Sequence, residues 1–169
     1  MLETISGHRA LEERRCALYE TVANSRLQTP IKVTTRPARE DDIPKIIDAA
    51  RVVPELTFEH WENSTLLNNL IHNSPSGIRV AMHEDLLVGF VVGGTFGVRA
   101  TVSHVWVAEA FRGGGVGKSL CEEMLNSFAE LGIRRVRVMV IGGNDGAKSF
   151  WERRGFVCPE NESFLELDL

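Results

Sequence analysis

Only one tyrosine, Tyr19, and only three cysteines, Cys16, Cys121 and Cys158, occur among the 169 residues. No two cysteines share a CxxC spacing, and an odd number cannot pair completely. A disulfide framework is therefore disfavoured, and a reducing, cytoplasmic location is expected. Cys121 falls on the apolar face of a helical stretch and reads as a small buried hydrophobe. No run approaches the ~20 apolar residues of a membrane-spanning helix. The N-terminus carries acidic residues early and lacks the apolar core of a signal peptide. Positive charge is not in excess either, since the formal net charge is −4. Nucleic acid and an anionic membrane are thus not expected as main partners. Internal repeats and low-complexity tracts are lacking, and the length suits one core.

What is present is a mixed succession of periodic segments. Residues 7–26 read as a charged helix with a thin apolar stripe of Leu11, Leu18 and Val22, broken before Pro30. IKVTTRPA alternates like a strand, and EDDIPKIIDAARVV reads as a helix with acidic residues and Pro44 at its start. PELTFEHWENSTLLNNLIHNS holds a loop and a second helix. GIRVAMHEDLLVGFVVGG reads as a hairpin turning at His83-Glu84-Asp85, and TVSHVWVA as a further strand. KSLCEEMLNSFAELG is amphipathic through Leu120, Met124 and Phe128, with Gly132 at its end. RRVRVMVI is expected as a strand carrying Val136, Val138 and Val140 on one face. NDGAKSFWERRG is expected as a short helix, and FLELDL as a last strand. The order β-α-α-β-β-β-α-β-α-β is mixed α/β, with antiparallel strands first.

RGGGVGKSL, residues 112–120, ends like a nucleoside-triphosphate loop, but the spacing fails. G-x-x-x-x-G-K-[ST] needs glycine where Arg112 stands, and no carboxylate directly follows an apolar strand. The dinucleotide pattern G-x-G-x-x-G fails as well, at Lys118. Two readings remain for the loop. One is a glycine turn without a ligand. The favoured one is an anion cradle, because free N–H groups and the positive end of a helix dipole converge there, with Arg112 and Lys118 adding charge.

The loop also fits R/Q-x-x-G-x-G/A through Arg112, Gly115 and Gly117. NDGAKSFWERRGF is similar to N-x-x-A-x-x-F-Y-x-K-x-G-F. Together, in this order and about thirty residues apart, the two segments resemble the GCN5-related N-acetyltransferase (GNAT) family. The resemblance implies a mixed, mostly antiparallel central sheet flanked by helices, with a V-shaped splay between two adjacent central strands. It implies an acetyl-CoA-binding N-acetyltransferase domain over residues 31–169, and leaves 1–30 as an N-terminal helical extension. Acetyl-CoA would be the co-substrate, and no metal is called for. Its diphosphate would lie on the N–H groups of Gly113, Gly114, Gly115, Val116, Gly117 and Lys118. Its pantetheine arm would run beside Val105-Trp106-Val107, and Asn144 would reach it from the second wall of the splay.

The implied reaction is direct attack of an amine on the thioester. A backbone N–H of the Val105–Val107 strand is the expected oxyanion donor. His104, with an ordinary pKa of about 6.5, is the candidate base; the other reading is a half-exposed strand residue. Where the family often has a thiolate-protonating tyrosine, this chain has Trp151, whose indole cannot act as an acid near neutrality. That departure keeps open a catalytically weak CoA-binding or regulatory module. The acceptor is expected to be a small-molecule or peptide amine. Phe58, Glu59, His60 and Trp61 cluster where it would enter, and a carboxylate beside aromatics suits an ammonium; the other reading, favoured for any single one of them, is a solvated helix start with one buried tryptophan. A homodimer is compatible with this reading.

Overall fold

β-branched and small residues alternate from Ile78 to Val107, and the chain there folds back on itself twice. This computed structural model describes residues 17, 19, 32–51, 53, 56, 58–59, 62–74 and 77–160. The chain divides into two compact units, Met1–Val138 and Met139–Leu169.

In the first unit, β1 (Thr34–Pro37), β2 (Ile78–His83), β3 (Leu86–Phe96), β4 (Arg99–Val107) and β5 (Val136–Val138) form one sheet in that spatial order. The first three neighbouring pairs are antiparallel. Among the described strands, β4 and β5 alone run parallel, joined by a helical crossover as a parallel pair requires. Helices α1 (Ile43–Ala50), preceded by a 3-10 turn at Glu40–Asp42, and α2 (Ser64–Asn73) come between β1 and β2. Helix α3 (Val116–Glu130) carries the crossover from β4 to β5.

The helices take opposite faces of the sheet. A Cβ built on Gly89 would meet Leu120 and Val116, and one on Gly93 would meet Met124, so α3 lies on that face. Leu70 of α2 is the nearest atom to Gly94, on the other face. The core between the layers includes Phe90, Phe111, Phe128, Ile43, Ile46, Leu120 and Met124, all fully buried. Each such side chain contributes ~1.5–3 kcal/mol on burial. Polar ties hold the margins. Buried Asp42 pairs with Arg36 at 2.6 Å and accepts from the Arg39 N–H, and its carboxyl is held below its ordinary range by the Arg36 guanidinium and that N–H, against the opposing effect of burial. On α3, Glu123 accepts from Arg79 Nε at 2.9 Å and from Thr35 Oγ1, stitching the helix to β2 and β1.

Most expected elements form, with three differences. The strand expected over RRVRVMVI is confined to Val136–Val138. The segment EDDIPKIIDAARVV begins as 3-10 and its α-helix ends at Ala50. The hairpin strand after Asp85 runs on to Phe96, beyond the GFVVGG stretch. The expected last strand FLELDL lies outside the described residues. So does most of the 7–26 helix, of which Ala17 and Tyr19 are described as helical. The hydroxyl of Tyr19 donates to Leu87 O at 2.7 Å, and its ring meets Trp106 and Phe111 edge-on.

Close approach of α3 depends on Gly93. A Cβ there would lie 2.7 Å from Thr101 O and 2.9 Å from Met124 Sδ. Gly93→Val should therefore lower stability by about 1–3 kcal/mol or more through overpacking, read as an earlier urea midpoint; an unchanged midpoint would contradict this packing.

Candidate functional site

The glycine loop forms because three local devices coincide. Strand β4 ends at Val107, and a 3-10 turn at Glu109–Phe111 follows. Phe111 is fully buried and anchors the turn. Gly115 then takes a left-handed conformation, φ 85°, as the N-cap of α3, which a side chain would strain. The first helical bond runs from Ser119 N–H to Gly115 O. The N–H groups of Val116, Gly117 and Lys118 therefore have no carbonyl within the helix to meet. Nothing lies within 4 Å of a Cβ built on Gly113 or Gly115. The loop is open on its outer side, as an anion cradle requires.

The two cations expected to help are placed differently. Arg112 folds back, and its Nε donates to Val107 O at 2.9 Å. This ties the loop to the end of β4 and leaves the other guanidinium donors for a ligand. Lys118 reaches along the helix surface towards Glu122, 3.7 Å away. So exposed a pair contributes little, and the Lys118 side chain is directed along the helix, away from the role expected of it.

Strand β4 is paired along its length with β3, from Phe96–Arg99 to Gly89–Val107. Its other edge meets β5 only at Ala100, Thr101 and Val102. From Ser103 onward no described strand lies alongside that edge. Ala108 N–H donates to Val88 O, on the β3 side. By strand alternation, Val105 and Val107 turn their backbone groups to the open edge, and the Arg112 bond to Val107 O is consistent with that. Trp106 points its side chain to the other face and packs on Phe90, ring centroids 5.7 Å apart.

At the start of the open edge the register slips. Val92 faces His104 and Gly93 faces Val102, leaving Ser103 as an extra residue in β4. Such a bulge re-aims a side chain. His104 here is buried, 8% exposed, so the half-exposed reading does not apply. Ser103 Oγ donates to Val92 O at 3.2 Å and lies 3.1 Å from His104 Nδ1. The Phe58 ring stands edge-on to the imidazole at 5.4 Å. Across from it, Glu62 Oε1 is 3.6 Å from His104 Nε2. Burial lowers the imidazole pKa, and the Glu62 carboxylate opposes this without overcoming it. Burial thus favours the neutral ring, the form a proton acceptor needs.

Glu62 was not legible as a site residue. Of the four residues expected at the acceptor side, Phe58 does reach His104, whereas Glu59 is exposed and meets Glu62 through its backbone, its N–H donating to Glu62 Oε2 at 2.8 Å. His60 and Trp61 lie outside the described residues. The one local hint was Asn63, whose side chain caps α2 by accepting from Thr65 and Leu66 N–H. That cap fixes the chain immediately after Glu62.

In the second unit, helix α4 (Asp145–Glu152) starts at Asn144, whose Oδ1 accepts from Ala147 N–H at 2.9 Å. Asn144 therefore has a capping role in its own unit. Trp151 is buried there, edge-on to Phe150 and Phe156. Phe150 also carries the Arg154 guanidinium over its ring at 3.4 Å. Both aromatics are packing residues. Among the described residues, no group of three or more His, Cys, Asp or Glu is arranged to hold a metal, and no helix is long and apolar enough to cross a membrane.

Comparison with known proteins returns one family. Residues 41–156 match the family model described as Acetyltransferase (GNAT) family. Among solved structures, Ard1 from Thermoplasma volcanium is 28% identical, with a TM-score of 0.63 over 74% of this chain and 82% of that one. A PaiA N-acetyltransferase from Thermoplasma acidophilum, solved with coenzyme A, is 19% identical, with a TM-score of 0.67 over 78% of this chain and 93% of that one. An aminoglycoside acetyltransferase from an uncultured soil metagenomic sample, solved with sisomicin, is 21% identical, with a TM-score of 0.65 over 81% and 96%. A search of curated proteins gave no match.

Proposed function

The chain belongs to the acetyltransferase (GNAT) family, and from that premise we propose that it is an N-acetyltransferase moving an acetyl group from acetyl-CoA to a primary amine by direct attack in a ternary complex. The observation that carries this reading is the open edge of β4 running into a glycine loop and the start of α3. An extended chain ending in a diphosphate matches that sequence of groups. The backbone groups of Val105 and the N–H of Val107 suit the pantetheine amides, and the N–H groups from Gly113 to Lys118 suit the diphosphate. Relatives of this fold solved with coenzyme A support the same ligand. Residues 31–169 are proposed as the acetyl-CoA-binding domain and 1–30 as its extension, which the Tyr19 bond to Leu87 O supports.

Acetyl-CoA would supply the activated acyl carbon. The protein removes a proton from the incoming ammonium, and His104 Nε2 suits that task, since burial favours the neutral ring. The nitrogen–carbon bond then forms, the carbon–sulfur bond breaks, and its electron pair leaves with sulfur. A backbone N–H on the open edge of β4 suits the developing oxyanion. No acid is assigned for the thiolate, because Trp151 is buried among aromatics in its own unit. A thiol pKa of ~8.5 permits departure without one. That same tryptophan favours the second reading, a CoA-binding module with little turnover. Thiol release over an amine panel separates the two.

Gly115→Glu should abolish acetyl-CoA binding by calorimetry, since a bulky anion then occupies the cradle; unchanged affinity would refute the loop assignment. His104→Ala should lower kcat/KM by about 10²–10⁴-fold while leaving acetyl-CoA affinity unchanged. Protonation removes the base, so wild-type activity should fall as pH drops through a value below the ordinary 6.5 of histidine. The variant should lack that acid limb. A variant with wild-type turnover and the same limb would remove His104 from this role.

A further inference from the structure

Glu62 has no part in the reading above, yet its carboxylate is one of the better positioned in the molecule. Glu62 N–H donates to Glu59 O at 3.1 Å, and Glu62 Oε2 accepts from Glu59 N–H at 2.8 Å. These reciprocal bonds close a turn immediately before the Asn63 cap of α2. The carboxylate is thus set by backbone rather than left to sample solvent. Its second oxygen, Oε1, faces His104 Nε2 at 3.6 Å, too long for a direct hydrogen bond.

The hydrogens on His104 follow from its neighbours. With Ser103 Oγ donating to Val92 O, its contact with His104 Nδ1 is met by the tautomer that carries the ring hydrogen on Nδ1. In that tautomer Nε2 presents a lone pair. A lone pair and a carboxylate oxygen facing each other at 3.6 Å are two acceptors that one shared donor can serve. A tetrahedral nitrogen carrying several hydrogens, about 2.8 Å from each, satisfies both. Phe58 supplies an aromatic wall beside this point. Among the described residues, Glu62 is the charged group set against His104; its own strand presents Ser103, and Phe58 is uncharged.

We propose that Glu62 and His104 form a two-point site for the acceptor's ammonium, in which Glu62 holds the cation against His104 Nε2 as a positioning residue. The inference deepens the acyltransferase reading and rests on it. It names the acceptor class as alkylammonium ions rather than arylamines, which are uncharged at neutral pH. In the proton step, an N–H bond of the ammonium breaks and its electron pair stays on nitrogen. The proton bonds to Nε2. The carboxylate then faces an imidazolium where it had faced an ammonium, so the local charge remains balanced throughout. No new charge has to be created in a partly buried place.

The test uses the full chain saturated with CoA, with n-butylammonium and aniline as probes. Ring resonances of His104, assigned by their loss in His104→Gln, should shift on adding n-butylammonium at pH 7, and not on adding aniline. Glu62→Gln should remove that shift, and Glu62→Asp should partly restore it. In turnover with acetyl-CoA, Glu62→Gln should raise KM for n-butylamine at least tenfold with a smaller change in kcat. Its acid limb should also move to lower pH, since the carboxylate no longer favours the protonated ring. Circular dichroism should match wild type. Wild-type turnover that survives Glu62→Gln within twofold overturns the inference and leaves the acyltransferase reading standing. Glu62-dependent ring shifts without thiol release from any amine sustain the ammonium site and sink the transferase reading. Neither shift nor turnover overturns both.

Discussion

The site depends on where one strand loses its neighbour. β4 keeps β3 along one edge from Arg99 to Val107, but β5 accompanies its other edge only to Val102. Backbone groups in the middle of a sheet are ordinarily consumed by the ladder. Here Val105 and Val107 are half-buried and held on one edge by β3, while no described strand lies along their other edge, where Arg112 Nε reaches Val107 O. A strand with an edge that no strand occupies is a surface for an extended ligand, and it ends where the glycine loop begins.

Close packing makes that arrangement possible. Gly89 and Gly93 let α3 press against β3 through Val116, Leu120 and Met124. Its first turn is thereby fixed beside the end of β4, with Arg112 Nε bonded to Val107 O as a second tie. The unsatisfied N–H groups of the helix start are thus aimed by the core, not by the loop. The bulge at Ser103 acts in the same way for His104, whose ring is held by Ser103 on one side and Phe58 on another. Burial that lowers the imidazole pKa is a direct result of that packing.

What could be read from the sequence divides along physical lines. The glycine loop and α3 were legible because their signals are local: Arg112, Gly115 and Gly117 stand at fixed spacing, followed by Leu120, Met124 and Phe128 at helical spacing. The length of β5 was not, because Val136, Val138 and Val140 alternate past the point where pairing stops. Alternation reports which face is apolar, not whether a neighbour is present. His104 was found as a residue, yet its burial and hydrogen positions needed Ser103 and Val92 across a bulge. Glu62 was missed in favour of Glu59, three residues away, because only tertiary packing brings one of them to a histidine on β4. Residues 1–30 carried no family pattern, and Tyr19 ties them to the sheet through its bond to Leu87 O and its ring against Trp106.

The most direct measurement is amide hydrogen exchange with and without acetyl-CoA. The account predicts slowed exchange at Val105, Val107 and from Gly113 to Lys118 when acetyl-CoA is present, with β1 and β2 unchanged. Unaltered exchange along β4 and the loop at saturating acetyl-CoA would contradict it.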